Sequence, residues 1–161
     1  HAGDVAIIGS KIHPVKRLID AGKDKDVSAV LLFRKVNDPE RHGVPTLEKI
    51  SNKKFIVKKV VEKPKKPSSN LGLMPIYYFK PKIFEKLKKI KLGKGNEFQL
   101  TDAIQELISS GEKVLAIPLL EKEKVLDVGT VESYMESQIT SFRYVWFLIS
   151  GSKNRVWRLE L

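Results

Sequence analysis

The clearest pattern in the chain is the uninterrupted apolar run Ala29-Val30-Leu31-Leu32-Phe33. Such a run, with no polar alternation, predicts a strand buried on both faces. Ahead of it, Val15, Leu18 and Ile19 recur at the three- and four-residue spacing of a helix face. They predict a helix over residues 14–21, with Pro14 in the first turn and Gly22 as the stop. The opening residues, His1 to Ile8, read as the tail of a buried strand running into a loop, with Asp4 just past the strand end. A helix between two strands forms a βαβ unit, so the expected class is α/β.

The pattern continues downstream. Residues 47–61 predict a hairpin bending near Ser51-Asn52. The β-branched Val60 and Val61 mark the end of its second strand, and Pro64, lacking an amide hydrogen, stops the ladder. Glu62 and Lys63 are then expected on opposite faces of the pleat at a strand end. The apolar stretch 71–79 is the next strand, ended by Lys80-Pro81. Residues 82–90 predict an amphipathic helix with Ile83, Phe84, Leu87 and Ile90 on its apolar face. A flexible Gly93–Gly95 loop precedes a second helix that opens within residues 97–102, with Thr101 as a possible N-cap, and closes at Gly111. Residues 114–119 and 124–127 predict two further strands, the latter leading through a Gly129 turn into a helix over 131–137.

The last stretch is different in kind. Residues 141–149 are aromatic and apolar, and 151–155 are polar and basic. This tail reads as a docking helix, an interface segment or non-native sequence. The division expected is a domain over residues 1–137 and an aromatic, basic tail over 138–161.

Composition narrows the classes. The chain has 161 residues, 42% hydrophobic and 30% charged, which suits one globular domain with a real core. It has no cysteine, so disulfides, thiolate metal sites and cysteine nucleophiles are excluded. The start shows no secretory signal and nothing approaches the roughly 20 apolar residues of a membrane span. The expectation is a cytoplasmic protein with no membrane partner. The formal charge of +11 raises the question of an anionic partner. Most of it is lysine scattered among glutamates, as on the lysine-rich surfaces of proteins from hot environments. No basic helix or RNA-binding signature occurs, which argues against nucleic acid.

The candidate chemistry lies at strand ends. Glu62 can accept sugar hydroxyl hydrogens, and the adjacent Lys63 can hold a phosphate. Gly43 can let a ligand approach the backbone closely. Asp4 follows Gly3 at the expected strand end, and Asp127 ends a short apolar stretch that runs into the Gly129 turn. Two such carboxylates can share a hard cation such as Mg²⁺, which takes one or two carboxylates together with phosphate oxygens and water.

Six segments carry a family likeness: Gly3-Asp4, Asp38-Pro39-Glu40-Arg41-His42-Gly43-Val44, Val61-Glu62-Lys63-Pro64, Asn70-Leu71-Gly72, Glu97-Phe98-Gln99-Leu100-Thr101-Asp102 and Asp127-Val128-Gly129-Thr130. In this order and spacing they resemble the sugar-1-phosphate nucleotidyltransferases, glucose-1-phosphate thymidylyltransferases and uridylyltransferases above all. The resemblance implies a Rossmann-like domain, a mixed sheet flanked by helices. It implies transfer of NMP from dTTP or UTP to a hexose-1-phosphate, with pyrophosphate leaving. Asp4, Lys63 and Asp127 would be catalytic, with Asp4 and Asp127 holding Mg²⁺. Gly43, Glu62, Lys63, Asn70 and Gly72 would bind the sugar phosphate.

The departures from the family pattern are also specific. The glycine-rich G-x-G-x-R-x-x-P loop that wraps the triphosphate does not occur before Asp4. Pro75 stands where the family usually has glycine, and Gly95 where thymidylyltransferases often carry a phosphate-binding arginine. The chain therefore resembles the C-terminal, sugar-binding portion of the domain. Loss of the central strands is expected to expose an apolar edge at residues 29–33 or at the Asp4 strand, to be covered by a homo-oligomer or by a missing N-terminal portion. The alternative to a truncated enzyme is an inactive sugar-phosphate-binding or regulatory partner subunit.

Overall fold

The structure is a computed structural model that describes residues 1–93 and 96–150, with side chains to residue 147. The Lys94-Gly95 part of the glycine loop and the tail from Gly151 lie outside the described residues. In chain order the elements are β1 (Val5–Ile8), α1 (Pro14–Gly22), β2 (Val27–Lys35), β3 (Gly43–Ser51), β4 (Lys54–Glu62), β5 (Leu71–Phe79), α2 (Lys82–Leu87), α3 (Leu100–Ser109), β6 (Lys113–Pro118), β7 (Lys124–Asp127) and α4 (Val131–Ser150). Five strands form a mixed sheet in the order β3-β4-β6-β2-β5. β2 runs parallel to β6 and antiparallel to β5, and the β3–β4 hairpin joins antiparallel to β6. This is the mixed α/β architecture that the apolar patterning and the family likeness imply.

β2 is buried from Val27 to Phe33 because both its faces are covered. Ala29, Leu31 and Phe33 pack with Ala103, Ile104 and Leu107 of α3 and Ile83 of α2. Val30 and Leu32 face the other way, onto Leu18 of α1 and Met74 and Ile76 of β5. The helix layers thus lie on both sides of one sheet. Phe33 also meets Phe55 of β4 edge-on, at 5.3 Å between ring centroids.

Three helices differ from the sequence expectation. First, the buried face of α1 is Pro14, Leu18 and Gly22, while Val15 and Ile19 are exposed. Gly22 is there for packing, since a Cβ would lie 2.2 Å from the Tyr78 ring. Second, α2 ends at Leu87, and Phe84 is 64% exposed, so the expected apolar face is only partly used. Third, α4 continues through Ser137 to Ser150, leaving Val131, Met135, Ile139, Phe142 and Trp146 exposed.

The predicted βαβ unit is not formed within one sheet. Among the described residues β1 pairs only with β7, as a two-stranded antiparallel ribbon with Val5 opposite Asp127 and Ile8 opposite Lys124. Asp4 therefore comes before its strand rather than after it. The parallel neighbour of β2 is β6, so the strand at residues 29–33 is paired on both sides and is not an edge. The outer strands are β3 and β5. On the outer side of β5 the Pro75 carbonyl accepts from the Ala2 amide at 2.9 Å, a position where proline's missing N–H breaks no ladder. Among the described residues no helix is long and apolar enough to cross a membrane.

Leu31 is fully buried. Leu31→Ala should destabilise the fold by about 2–5 kcal/mol, the range for buried leucine truncation. Phe84→Ala should change stability by no more than about 0.5 kcal/mol. Chemical denaturation of the two variants checks both, and a large loss from Phe84→Ala would contradict the placement of α2.

Candidate functional site

A cavity of about 700 Å³ opens where the ends of the β3–β4 hairpin, β5, the start of α3 and the β1–β7 ribbon converge. One wall is formed by Gly43, Glu62, Lys63, Tyr77 and Thr101. The facing wall is formed by Asp4, Asp127, Gly129, Thr130 and Ser133. Arg34, Met74 and Pro75 also line it.

Glu62 is the last residue of β4 and pairs with Gly43. One of its oxygens, Oε2, accepts the Thr101 hydroxyl at 2.8 Å; the other, Oε1, lies 3.8 Å from the Lys63 ammonium. With its side chain 15% exposed, the carboxylate is held on one side and open to the cavity on the other. Glycine is required at position 43 by close approach. A Cβ there would lie 2.9 Å from Thr101 Cγ2 and 3.3 Å from Glu62 Oε2.

Lys63 shares the cavity with Glu62 instead of facing away from it as the pleat predicts. The ladder ends at Glu62, and Lys63 takes a left-handed backbone with φ of 39°. Pro64 already disfavours the right-handed helical region for the residue before it. The Lys63 amide then donates to the His42 carbonyl at 3.0 Å, which secures the turn. A side chain in this region carries strain of about 1–3 kcal/mol, a cost usually found at functional positions.

The opposite wall is built by the ribbon. The Val128 amide donates to the Asp4 carbonyl at 2.9 Å. Asp127 Oδ1 accepts the Gly129 amide at 2.7 Å and lies 3.4 Å from the Ser133 hydroxyl. A Cβ on Gly129 would be 3.1 Å from Asp127 Oδ1 and 3.8 Å from Asp4 Oδ2. The two carboxylates therefore flank the open space above Gly129, a cradle that any larger residue would fill. No group of three or more His, Cys, Asp or Glu able to hold a metal occurs among the described residues. Two carboxylates with hydroxyls nearby fit Mg²⁺, which completes its octahedron with water and phosphate oxygens.

The structure thus brings Asp4, Gly43, Glu62, Lys63 and Asp127 to one cavity. It does not bring Asn70 and Gly72 to the lining. The Asn70 carbonyl accepts from Val36 at 2.9 Å, and a Cβ on Gly72 would strike Val36 at 2.9 Å and His42 at 3.0 Å. Both support the strand behind His42.

Three lining residues were not expected in the site. Thr101 is not the N-cap: Gln99 is, and Thr101 is buried with its hydroxyl on Glu62. Arg34 keeps a buried Nε without a hydrogen-bond partner among the described residues, although it lines the cavity. Tyr77 has its phenol pushed up to about 12, first by burial and then by the charge of Glu62.

The Thr101→Val variant removes one donor from a carboxylate. By the usual value of hydrogen bonds to charged groups it should cost about 1.5–3 kcal/mol, and Thr101→Ser should recover most of it in denaturant melts. The raised Tyr77 pKa means that the folded state holds this proton more tightly than the unfolded chain. That stability is complete below pH 10 and is lost as pH rises toward 12. An absorbance titration at 295 nm should show one late phenol that disappears in Tyr77→Phe. A titration unchanged by that substitution would contradict its burial beside Glu62.

The comparisons with known proteins fit this geometry. A putative UTP–glucose-1-phosphate uridylyltransferase of Methanocaldococcus jannaschii is 31% identical over 141 residues, 84% of this chain and 49% of that protein. UTP–glucose-1-phosphate uridylyltransferase 1 of Staphylococcus saprophyticus is 32% identical over 133 residues, covering 71% and 45%. The chain spans about half the length of the curated relatives it matches. Among solved structures, a UDP-glucose pyrophosphorylase complexed with UDP-glucose superposes with a TM-score of 0.78 at 27% identity, over 88% of this chain and 54% of that one. The Nucleotidyl transferase family model matches residues 3–141. The cavity walls from Asp4 to Ser133 fall inside that match, and the chain belongs to the nucleotidyl transferase family.

Proposed function

We propose that this chain forms the sugar-phosphate side of a nucleotidyltransferase that joins a hexose-1-phosphate to a nucleoside monophosphate drawn from UTP, with loss of pyrophosphate. The observation that carries the reading is that Glu62 and Lys63 share one cavity with Asp4 and Asp127. A carboxylate for hydroxyls, an ammonium for a phosphate and a carboxylate pair suited to a divalent cation are the groups this reaction needs. UTP is preferred to dTTP because the similar proteins described above are uridylyltransferases and a UDP-glucose pyrophosphorylase.

Each side chain then has a task. Glu62, pinned by Thr101, accepts hydrogen bonds from the sugar hydroxyls through its remaining lone pairs. Gly43 lets the sugar ring lie close to the β3 backbone. Lys63 holds the sugar phosphate and aims its oxygen at the α-phosphorus of the triphosphate. That phosphate oxygen attacks in line, and the bond to the pyrophosphate oxygen breaks. Asp4 and Asp127 would hold Mg²⁺, which when bound neutralises charge on the phosphates. Such transfer depends mainly on alignment and charge neutralisation, since little proton chemistry is needed from the protein.

The test is isothermal titration of glucose-1-phosphate with Mg²⁺ into the wild-type chain and into Glu62→Ala and Lys63→Ala. Each substitution removes a charge-assisted contact and should weaken binding by about tenfold or more. Equal binding by all three chains, or no binding by a folded wild type, would overturn the reading.

A further inference from the structure

The β1–β7 ribbon carries both aspartates at the end where Val5 faces Asp127. Its other end, where Ile8 faces Lys124, is fixed by a buried ion pair with no part in the chemistry above. Glu123, immediately before β7, has a fully buried side chain. Its carboxylate lies 2.8 and 2.6 Å from Arg17 Nη2 and accepts the Leu120 amide at 2.7 Å and the Ser10 hydroxyl. Arg17 belongs to α1, and its Nη1 also donates to the carbonyl of Pro118, the last residue of β6, at 3.2 Å. One carboxylate thereby ties together α1, the main sheet, the turn entering β7 and the segment leaving β1. At the same junction Gly9 has φ of 94°, and a Cβ there would lie 2.4 Å from the Lys122 carbonyl oxygen. The two backbones touch.

The ribbon needs such an anchor. Among the described residues its strands pair with each other and with no strand of the main sheet; Ile7 and Val125 pack on the core and Ala2 bonds Pro75, but a two-stranded ribbon is marginal in water, and the ion pair ties down its Lys124 end. We infer that Arg17 and Glu123 are positioning residues, which fix the ribbon against the main sheet so that Asp4 and Asp127 face Glu62 and Lys63. They act from about 13 Å away, Glu123 being four residues along an extended strand from Asp127, and touch no substrate. Removing one partner of a buried ion pair leaves an uncompensated charge, which the chain can relieve by letting this end of the ribbon swing toward water. Arg17→Lys keeps the charge but cannot reproduce the forked contacts. The metal arm of the inference rests on the proposed role of Asp4 and Asp127; the positional arm does not.

The test separates the two. The Val128 amide donates to Asp4 and the Gly129 amide to Asp127, so their chemical shifts report the functional end of the ribbon. Glu123→Gln and Arg17→Ala should move both shifts, with Arg17→Lys intermediate. Mn²⁺ affinity in Glu123→Gln should fall by about tenfold, as for other residues that orient metal ligands. Val57→Ala, a core truncation beside α3, serves as the stability control; at a comparable loss of Tm it should leave shifts and affinity unchanged. Unmoved shifts in Glu123→Gln would overturn the inference. If the shifts move but even the wild type takes up no Mn²⁺, the positioning role stands and the metal reading fails. Should Glu123→Gln not fold, Ser10→Ala removes a single donor from the same carboxylate and is judged by the same shifts.

Discussion

The structure depends on the complete pairing of β2. A strand buried from Val27 to Phe33 has no water available to its backbone, so both edges must be laddered. β5 supplies one edge and β6 the other, in opposite senses, which makes the sheet mixed. That requirement fixes where β5 and β6 end, and through β6 where the β3–β4 hairpin joins. The cavity lies where these ladders run out. A rigid sheet therefore holds the Glu62 wall, whose Tyr77 packs against the core.

The site itself breaks local rules in a small number of places. Lys63 adopts a left-handed backbone that its side chain disfavours, and this is what turns the ammonium toward the Glu62 carboxylate. Gly43 and Gly129 leave open the space that a Cβ would take beside Glu62 and Asp127. Arg34 keeps a buried Nε without a partner among the described residues, and Tyr77 holds a phenol whose ionisation is suppressed. A packed core would remove each of these, because unsatisfied or strained groups cost stability. Together these groups meet at one cavity, where a region that serves binding can bear their cost.

The sequence revealed what depends on neighbours a few residues away. The apolar run at 29–33 announced a doubly buried strand, and the hairpin, the Gly111 stop and the strand before Asp127 followed from turn chemistry and β-branching. It did not reveal pairings between distant segments. Nothing local shows that Val5 would lie opposite Asp127, so β1 was assigned to the wrong sheet. Thr101 looked like a helix cap because its partner, Glu62, is 39 residues away. The expected faces of α1 and α2 are only partly used for the same reason: Leu18, Ile83, Leu87 and Ile90 pack on the core, whereas Val15, Ile19 and Phe84 have helical spacing but stay exposed. Asp4, Glu62, Lys63 and Asp127 were found as chemistry at strand ends and by family likeness. Arg34 and Tyr77 were hidden inside apolar or mixed strands.

The two walls of the cavity come from different sheets, and the account stands or falls on their facing one another. Mn²⁺ in place of Mg²⁺, followed by paramagnetic broadening of backbone amides, measures this directly. The account predicts that broadening centred on the Asp4 and Gly129 amides extends across the cavity to Gly43, Lys63 and Thr101, and leaves the β3–β4 turn at Asn52 sharp. Broadening that stays on the ribbon, or that centres on the surface lysines and glutamates of the hairpin, would contradict a single shared site.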